Sequence, residues 1–306
     1  MTVSATDLPP GRPKAGSAPS GGSERHAVGS VGAPDPPPGR PKAGSAPSGG
    51  SEAHAVWSVG APTFWPYPRW IAHRGAGKLA PENTLAAFRL GAAHGYRMFE
   101  CDAKLSADGV VMLLHDDTLE RTSNGQGIAG DLPWSDLSQL DAGAWHSRAY
   151  AGEPLPTLAA VSNWCIANGL LLNIEIKPTP GLETATGEAV AREAQHIWRD
   201  APVPPLLTSF RPKSLAGARS VAPLLPRGLL LDSLWSGWLP MAQQLGCVAI
   251  VCNHTLWDGT LVTQVREAGM RQLSYTVNDE RAAQRLIHLG TDGIITDAVD
   301  RFAPAA

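Results

Sequence analysis

The chain has 306 residues, 43% of them hydrophobic and 17% charged, with a formal net charge of −3, enough apolar material to fill the core of one large domain or two small ones. It contains no block of five or six basic residues, which argues against nucleic acid or an anionic membrane surface and leaves small molecules as the expected partners. No run approaches about eighteen apolar residues, and Met1 to Pro10 shows neither a charged start nor an apolar stretch, so the expectation is no membrane insertion, no secretory signal and a cytoplasmic location.

Residues 9–34 (PPGRPKAGSAPSGGSERHAVGSVGAP) recur at 37–62 with an offset of 28, changed only at Arg25/Ala53 and Gly29/Trp57. Residues 1–62 contain 11 Gly and 11 Pro. Such a segment has too few apolar groups to offset the entropy of ordering it, and it is predicted to be a disordered Gly/Pro-rich tail. Solenoid repeats need an apolar face on each copy, and these have none. The folded domain is expected over 63–306.

Beyond the tail, short apolar runs alternate with longer helical stretches. The strand-like runs are Trp70–Ala72, Met98–Asp102, Val110–Leu114, Leu170–Ile176, Leu206–Phe210, Gly228–Leu231, Val248–Cys252, Gln272–Val277 and Gly293–Ile295. The link between the second and third, with Ala107-Asp108-Gly109 at its tip, is too short for a crossover helix and predicts a hairpin. Eight strands then remain for a (β/α)8 barrel, whose chemistry sits at the C-terminal strand ends. The competing doubly wound sheet lacks its Gly-x-Gly-x-x-Gly turn after the first strand. Cys101, Cys165, Cys247 and Cys252 are widely spaced and predicted to be reduced, buried thiols.

Ionisable residues collect at those strand ends: His73-Arg74 after the first, Glu100 and Asp102 in the second, His115-Asp116 after the third, Glu175 and Lys177 closing the fourth. Residues two apart on a strand share a face, so each of the pairs 100/102 and 175/177 points one way, with Cys101 and Ile176 facing the helices. Pairing numbers that sum to about 215 across the hairpin sets Glu100 beside His115. Three converging carboxylates repel one another and resist desolvation unless a hard cation joins them. Oxygen ligation favours Mg2+, Ca2+ or Mn2+ over Zn2+. Arg74 and Lys177 are then free for a phosphoryl group, and His73 and His115 for proton transfer.

The stretches IAHRGAGKLAPENTLAAF (71–88), MFECDAKLSADG (98–109), LLHDDTLERTSNG (113–125), NIEIKP (173–178), YTVN (275–278) and GTDGIITD (290–297) together resemble the glycerophosphodiester phosphodiesterase family. The short bacterial cytosolic form associated with glycerol-3-phosphate uptake is the nearest type. The resemblance spans about Trp65 to Phe302 and omits the repeats. It implies a TIM barrel that hydrolyses deacylated phospholipids to sn-glycerol 3-phosphate and an alcohol such as choline or ethanolamine. It also implies a divalent cation on Glu100, Asp102 and Glu175, His73 and His115 as the acid and base, and Arg74 and Lys177 on the phosphate. Glu82-Asn83-Thr84 fits the family motif. Helix capping suffices to explain it, and Glu82 is also a candidate to orient His73 or the metal ligands. Tyr275 stands where the family often has Trp, and Trp235 and Trp238 are candidates for the pocket mouth. The rivals are a phospholipase D-like barrel acting on lysophospholipid or sphingolipid, which needs an apolar rim that the sequence does not display, and an inactive ligand-binding barrel.

Overall fold

The computed structural model describes residues 65–302 and 304, so the repeats and the expected boundary at 62/63 lie outside the described residues. In chain order the elements are β1 (Trp70–Ala72), α1 (Leu85–Ala93), β2 (Met98–Leu105), β3 (Val111–Leu113), α2 (Trp134–Leu137) and α3 (Leu158–Ala167). There follow β4 (Leu171–Ile176), α4 (Glu183–Ile197), β5 (Leu206–Ser209), α5 (Pro212–Val221), β6 (Arg227–Leu231) and α6 (Trp238–Gln244). The last are β7 (Ala249–Asn253), α7 (Gly259–Glu267), β8 (Arg271–Tyr275), α8 (Glu280–Leu289) and β9 (Gly293–Thr296).

Eight of the nine strands form a closed parallel sheet. β1 pairs with β9 on one side and with β2 on the other, and β4 to β9 follow one another around the ring. This is the predicted (β/α)8 barrel. The strands are apolar on both faces because helices cover the outside and side chains fill the inside. Ile71, Met98, Leu206, Leu230, Val251, Leu273 and Ile295 pack in the interior. Their neighbours along the strands, among them Phe99, Cys101, Leu172 and Ile174, pack outward against the helices. Each fully buried side chain of this size stabilises the fold by roughly 1.5–3 kcal/mol.

Helix starts are fixed locally. Thr84, Thr157, Asp258 and Asp279 each accept a hydrogen bond from a backbone N–H of the first turn, satisfying donors that have no partner inside the helix. All four cysteines are free and buried, as expected. No helix among the described residues is long and apolar enough to cross a membrane.

β3 is the exception to the parallel ring. It runs antiparallel to the upper end of β2, with Ala103 opposite Leu113 and Leu105 opposite Val111. That upper end is why β2 extends to Leu105, past the predicted Asp102. The hairpin turns through Gly109, whose φ of 83° is left-handed and costs glycine little. Ser106 accepts from the Val110 N–H and donates to Asp108 within the same turn. The register differs from the expected one by a residue, and after the Leu114 N–H reaches the Asp102 carbonyl the ladder ends. His115 therefore does not stand opposite Glu100; it leaves the sheet and turns toward β4.

Candidate active site

Strand alternation assembles the site. Ile71, Met98, Leu171, Leu230, Leu273 and Ile295 point into the barrel. Continuing each strand's period of two from these residues brings His73, Glu100, Asp102, Glu175, Asp232, Tyr275 and Asp297 to the C-terminal mouth. In register, Glu100 lies beside Asn173 and Asp102 beside Glu175.

The three predicted acids do meet. Glu100, Asp102 and Glu175 each offer a carboxylate oxygen within 4.8 Å of the others. Glu100 and Asp102 are 3% and 1% exposed. Burial first, then the charges of Asp102 and Glu175, holds Glu100 well above the usual carboxylate range. Burial and then Asp102 push Glu175 up to about 7, partly offset by Lys177. Asp102 goes the other way: burial would raise it, but Arg74, His115, Lys177 and the Asn83 amide outweigh burial and lower it. Glu100 Oε1 is buried without a hydrogen-bond partner. An orphaned oxygen beside two further carboxylates is a donor set that suits a hard divalent cation.

Each histidine is oriented by a carboxylate. His73 Nδ1 lies 2.6 Å from Asp297 Oδ1, leaving Nε2 facing Glu100 at 3.7 Å. Asp297 is in turn held by Asn278, which donates to Oδ2 at 2.9 Å and accepts from the Asp297 N–H at 2.8 Å. His115 Nδ1 lies 2.6 Å from Asp116 Oδ1, and its Nε2 is 3.0 Å from Lys177 Nζ. Lys177 also approaches Glu175 at 3.4 Å. Burial, chiefly, lowers the His115 pKa; an ammonium can only donate, so in this contact Nε2 is the acceptor.

The predicted cation Arg74 sits in the left-handed region with φ 50°, a strain of order 1–3 kcal/mol for a non-glycine residue. This backbone turns the Arg74 N–H toward Glu100 Oε2 at 3.1 Å. Its guanidinium meets Glu82 at 2.7 Å and Asp102 at 3.2 Å. The Glu-Asn-Thr motif divides three ways. Thr84 caps α1, and Asn83 donates to Asp102 Oδ2 at 2.9 Å while accepting from the Asp102 N–H at 3.1 Å. Glu82 binds Arg74 and Arg121, so it reaches the acids through Arg74 rather than through His73.

Sequence reasoning missed the groups that hold these residues. Arg121 makes two hydrogen bonds to Glu82 and two to Asp116, joining the Arg74 side of the site to the His115 side. Lys104, fully buried, holds Asp117 at 2.6 Å and ties the His115 loop to β2. Asn83, Asn278 and Asp297 lie in motifs the sequence singled out, but their parts in holding Asp102 and His73 were not assigned. The available signal was position, since Asp297 closes the last strand just as Asp102 and Glu175 occupy the ends of theirs.

A cavity of about 630 Å³ opens from Glu175, Lys177 and His115 toward Phe210, Trp235 and Tyr275. Of the two tryptophan candidates, Trp235 lines it at 39% exposure. Trp238 does not; it is buried in the core with Leu215, Leu229 and Leu231.

An eight-stranded parallel barrel with acids, histidines and cations at its C-terminal mouth puts the chain in the class of barrel proteins whose site is built on the strand ends. Residues 73–301 match the glycerophosphoryl diester phosphodiesterase family, and the chain belongs to that family. A glycerophosphodiester phosphodiesterase of Caldanaerobacter subterraneus subsp. tengcongensis is 34% identical over 232 residues, covering 74% of this chain and 93% of that one. Among solved structures, an Oleispira antarctica phosphodiesterase in complex with the product sn-glycerol-3-phosphate is 35% identical with a TM-score of 0.72, over 76% of this chain and 93% of that chain. A glycerophosphodiester phosphodiesterase from Agrobacterium tumefaciens str. C58 is 28% identical with a TM-score of 0.66, over 78% and 100%.

Proposed function

We propose that the chain hydrolyses glycerophosphodiesters to sn-glycerol 3-phosphate and an alcohol, in the cytoplasm, with a divalent cation on Glu100, Asp102 and Glu175. The observation that carries this reading is the convergence of those three carboxylates within 4.8 Å, beside two carboxylate-oriented histidines. Mg2+ and Ca2+ fit the all-oxygen set best, with Mn2+ next. Glu100, Asp102 and Glu175 would hold the ion, which would supply Lewis-acid charge to a phosphoryl oxygen. The four free, buried thiols support a reducing compartment.

In this reading Lys177, which lines the cavity, moves its ammonium from His115 to a phosphate oxygen, and Arg74 holds a second. One histidine takes a proton from the nucleophile as the new P–O bond forms; the other gives a proton to the departing alkoxide as the old bond breaks. Asp297 and Asp116 fix both rings with Nδ1 engaged and Nε2 toward the substrate, the geometry that proton transfer requires.

The test is coupled detection of glycerol 3-phosphate from glycerophosphocholine. Chelator is expected to abolish release and added cation to restore it. His115→Ala is expected to lower kcat about 10²- to 10⁴-fold with cation affinity unchanged; full turnover in chelator would remove the ion from the reaction. Choline release from lysophosphatidylcholine alone would favour the phospholipase D-like reading.

A further inference from the structure

The leaving alcohol has to occupy whatever space adjoins the phosphate position, and the two cavities there differ in size and chemistry. The inner one, of about 30 Å³, lies among His73, Glu100, Asn173, Glu175 and Tyr275 and has room for about one hydroxyl or water. The outer one, of about 630 Å³, opens to solvent past Phe210, Tyr275, Trp235 and Asp232.

Its aromatic wall is fixed. The Phe210 and Tyr275 rings meet edge to face at 5.6 Å and 89°, and the Tyr275 hydroxyl donates to the Leu231 carbonyl at 2.9 Å. Trp235 stands on a run of exposed residues, 232–237, with its indole 39% exposed. Nothing in the apolar core accounts for a tryptophan there.

The charges around this wall are not equivalent. Asp116 is held by Arg121 and Asp117 by Lys104. Glu183 caps its own turn through the Gly181 N–H, with Arg211 and Lys213 acting on it. Lys177 is engaged with Glu175 and His115. Asp232 accepts from the neighbouring Ser233 hydroxyl at 3.3 Å, and among the described residues no lysine or arginine forms an ion pair with it, Arg211 on the same cavity lining included. A carboxylate without a countercharge, three residues from an exposed indole, is complementary to an alkylammonium group: the ring face attracts the cation and the carboxylate supplies its charge partner.

We infer that Trp235 and Asp232 form a headgroup subsite that selects glycerophosphodiesters of cationic amino alcohols, such as choline or ethanolamine, over those of neutral polyols. The inference rests on the proposed hydrolase reading and adds the substrate class to it. The subsite acts on binding of the leaving alcohol and not on the chemical step, so its signature is in KM.

Glycerophosphocholine and glycerophosphoglycerol are compared as substrates of the full chain by release of glycerol 3-phosphate. Trp235→Ala is expected to raise KM for the choline ester about three- to thirtyfold. Asp232→Asn is expected to raise it about two- to fivefold. In both variants kcat and all constants for glycerophosphoglycerol stay unchanged. Equal kcat/KM on the two esters in the unsubstituted enzyme, or parallel losses on both in the variants, overturns the subsite and leaves the hydrolase reading intact. No release from either ester overturns the hydrolase reading itself.

Discussion

Glu175 stands between opposed influences: burial and Asp102 raise its pKa to about 7, and Lys177 pulls it down. Unfolded, a glutamate titrates near 4.5, so between about 4.5 and about 7 the folded chain keeps a proton that the unfolded chain releases. That difference stabilises the fold at low pH and is lost as pH rises through the window. A divalent ion requires the ionised carboxylate, so its affinity rises across the same window. In chelator, the melting temperature is therefore expected to fall between pH 5.5 and 8, and millimolar cation is expected to raise it more at pH 8 than at pH 5.5. Glu175→Gln should reduce the pH dependence of that gain, leaving the part that Glu100 carries; equal gains at both pH values in the parent would place the ion elsewhere. Glu100, raised in the same direction, adds to the effect.

The residues that touch the proposed ion and phosphate were legible because their spacing encodes direction. Glu-x-Asp and Glu-x-Lys on strands point each pair one way whatever the tertiary structure. Arg121 carries no such code: it lies beyond the hairpin on an irregular segment, and its partners Glu82 and Asp116 come from different loops. Asp297 is intermediate: the barrel reading already closes β9 onto β1, but it assigned no role to the residue that follows β9.

Among the elements, strand periodicity was read almost to the residue, and β2 was misjudged only where its pairing changes from the parallel ring to β3. How helices approach one another was not read. α4 and α5 come close enough that a Cβ on Gly187 would lie 2.0 Å from the Ser214 carbonyl oxygen, and one on Gly217 would lie 2.4 Å from that of Thr184. Backbone atoms cannot yield as a flexible side chain can, so Gly217→Ala forces the helices apart. The expected cost is about 1–3 kcal/mol in denaturant unfolding, with kcat within about twofold of the parent, because neither helix supplies a group to the proposed chemistry. An unchanged midpoint would show that the pair has slack. The same elements illustrate what pattern reading lacks: a glycine in a helix looks like a weak spot until the facing backbone is known.

For the molecule as a whole, ring closure brings opposite ends of the folded sequence together. β1 meets β9 through Trp70, Ile71 and Ala72 opposite Ile294, Ile295 and Thr296. Trp70 stacks on Phe302 at 4.7 Å and 12°, and the Tyr96 hydroxyl donates to the Phe302 carbonyl. The barrel, and with it the pairing of β1 with β9, was predictable from strand count and length; the partnership of His73 with Asp297 also needed the side-chain positions at those two strand ends. Asp297→Asn is expected to lower kcat about 10²-fold or more through loss of the His73 tautomer. Combined with His73→Ala it should cost little beyond His73→Ala alone, measured as kcat in a double-mutant cycle. Additive losses would separate the two residues.

His73 and Asp297 are 224 positions apart. A ribosome adding about 5–20 residues per second extrudes the histidine roughly ten seconds or more before its carboxylate partner exists. Through the second half of that interval the growing polypeptide already carries Glu100, Asp102, His115 and Lys177, yet its imidazole at position 73 has nothing to set its proton. With His73 in the proposed proton-transfer role, translation would act as a timer: cleavage of phosphodiesters would wait until the final strand has been made.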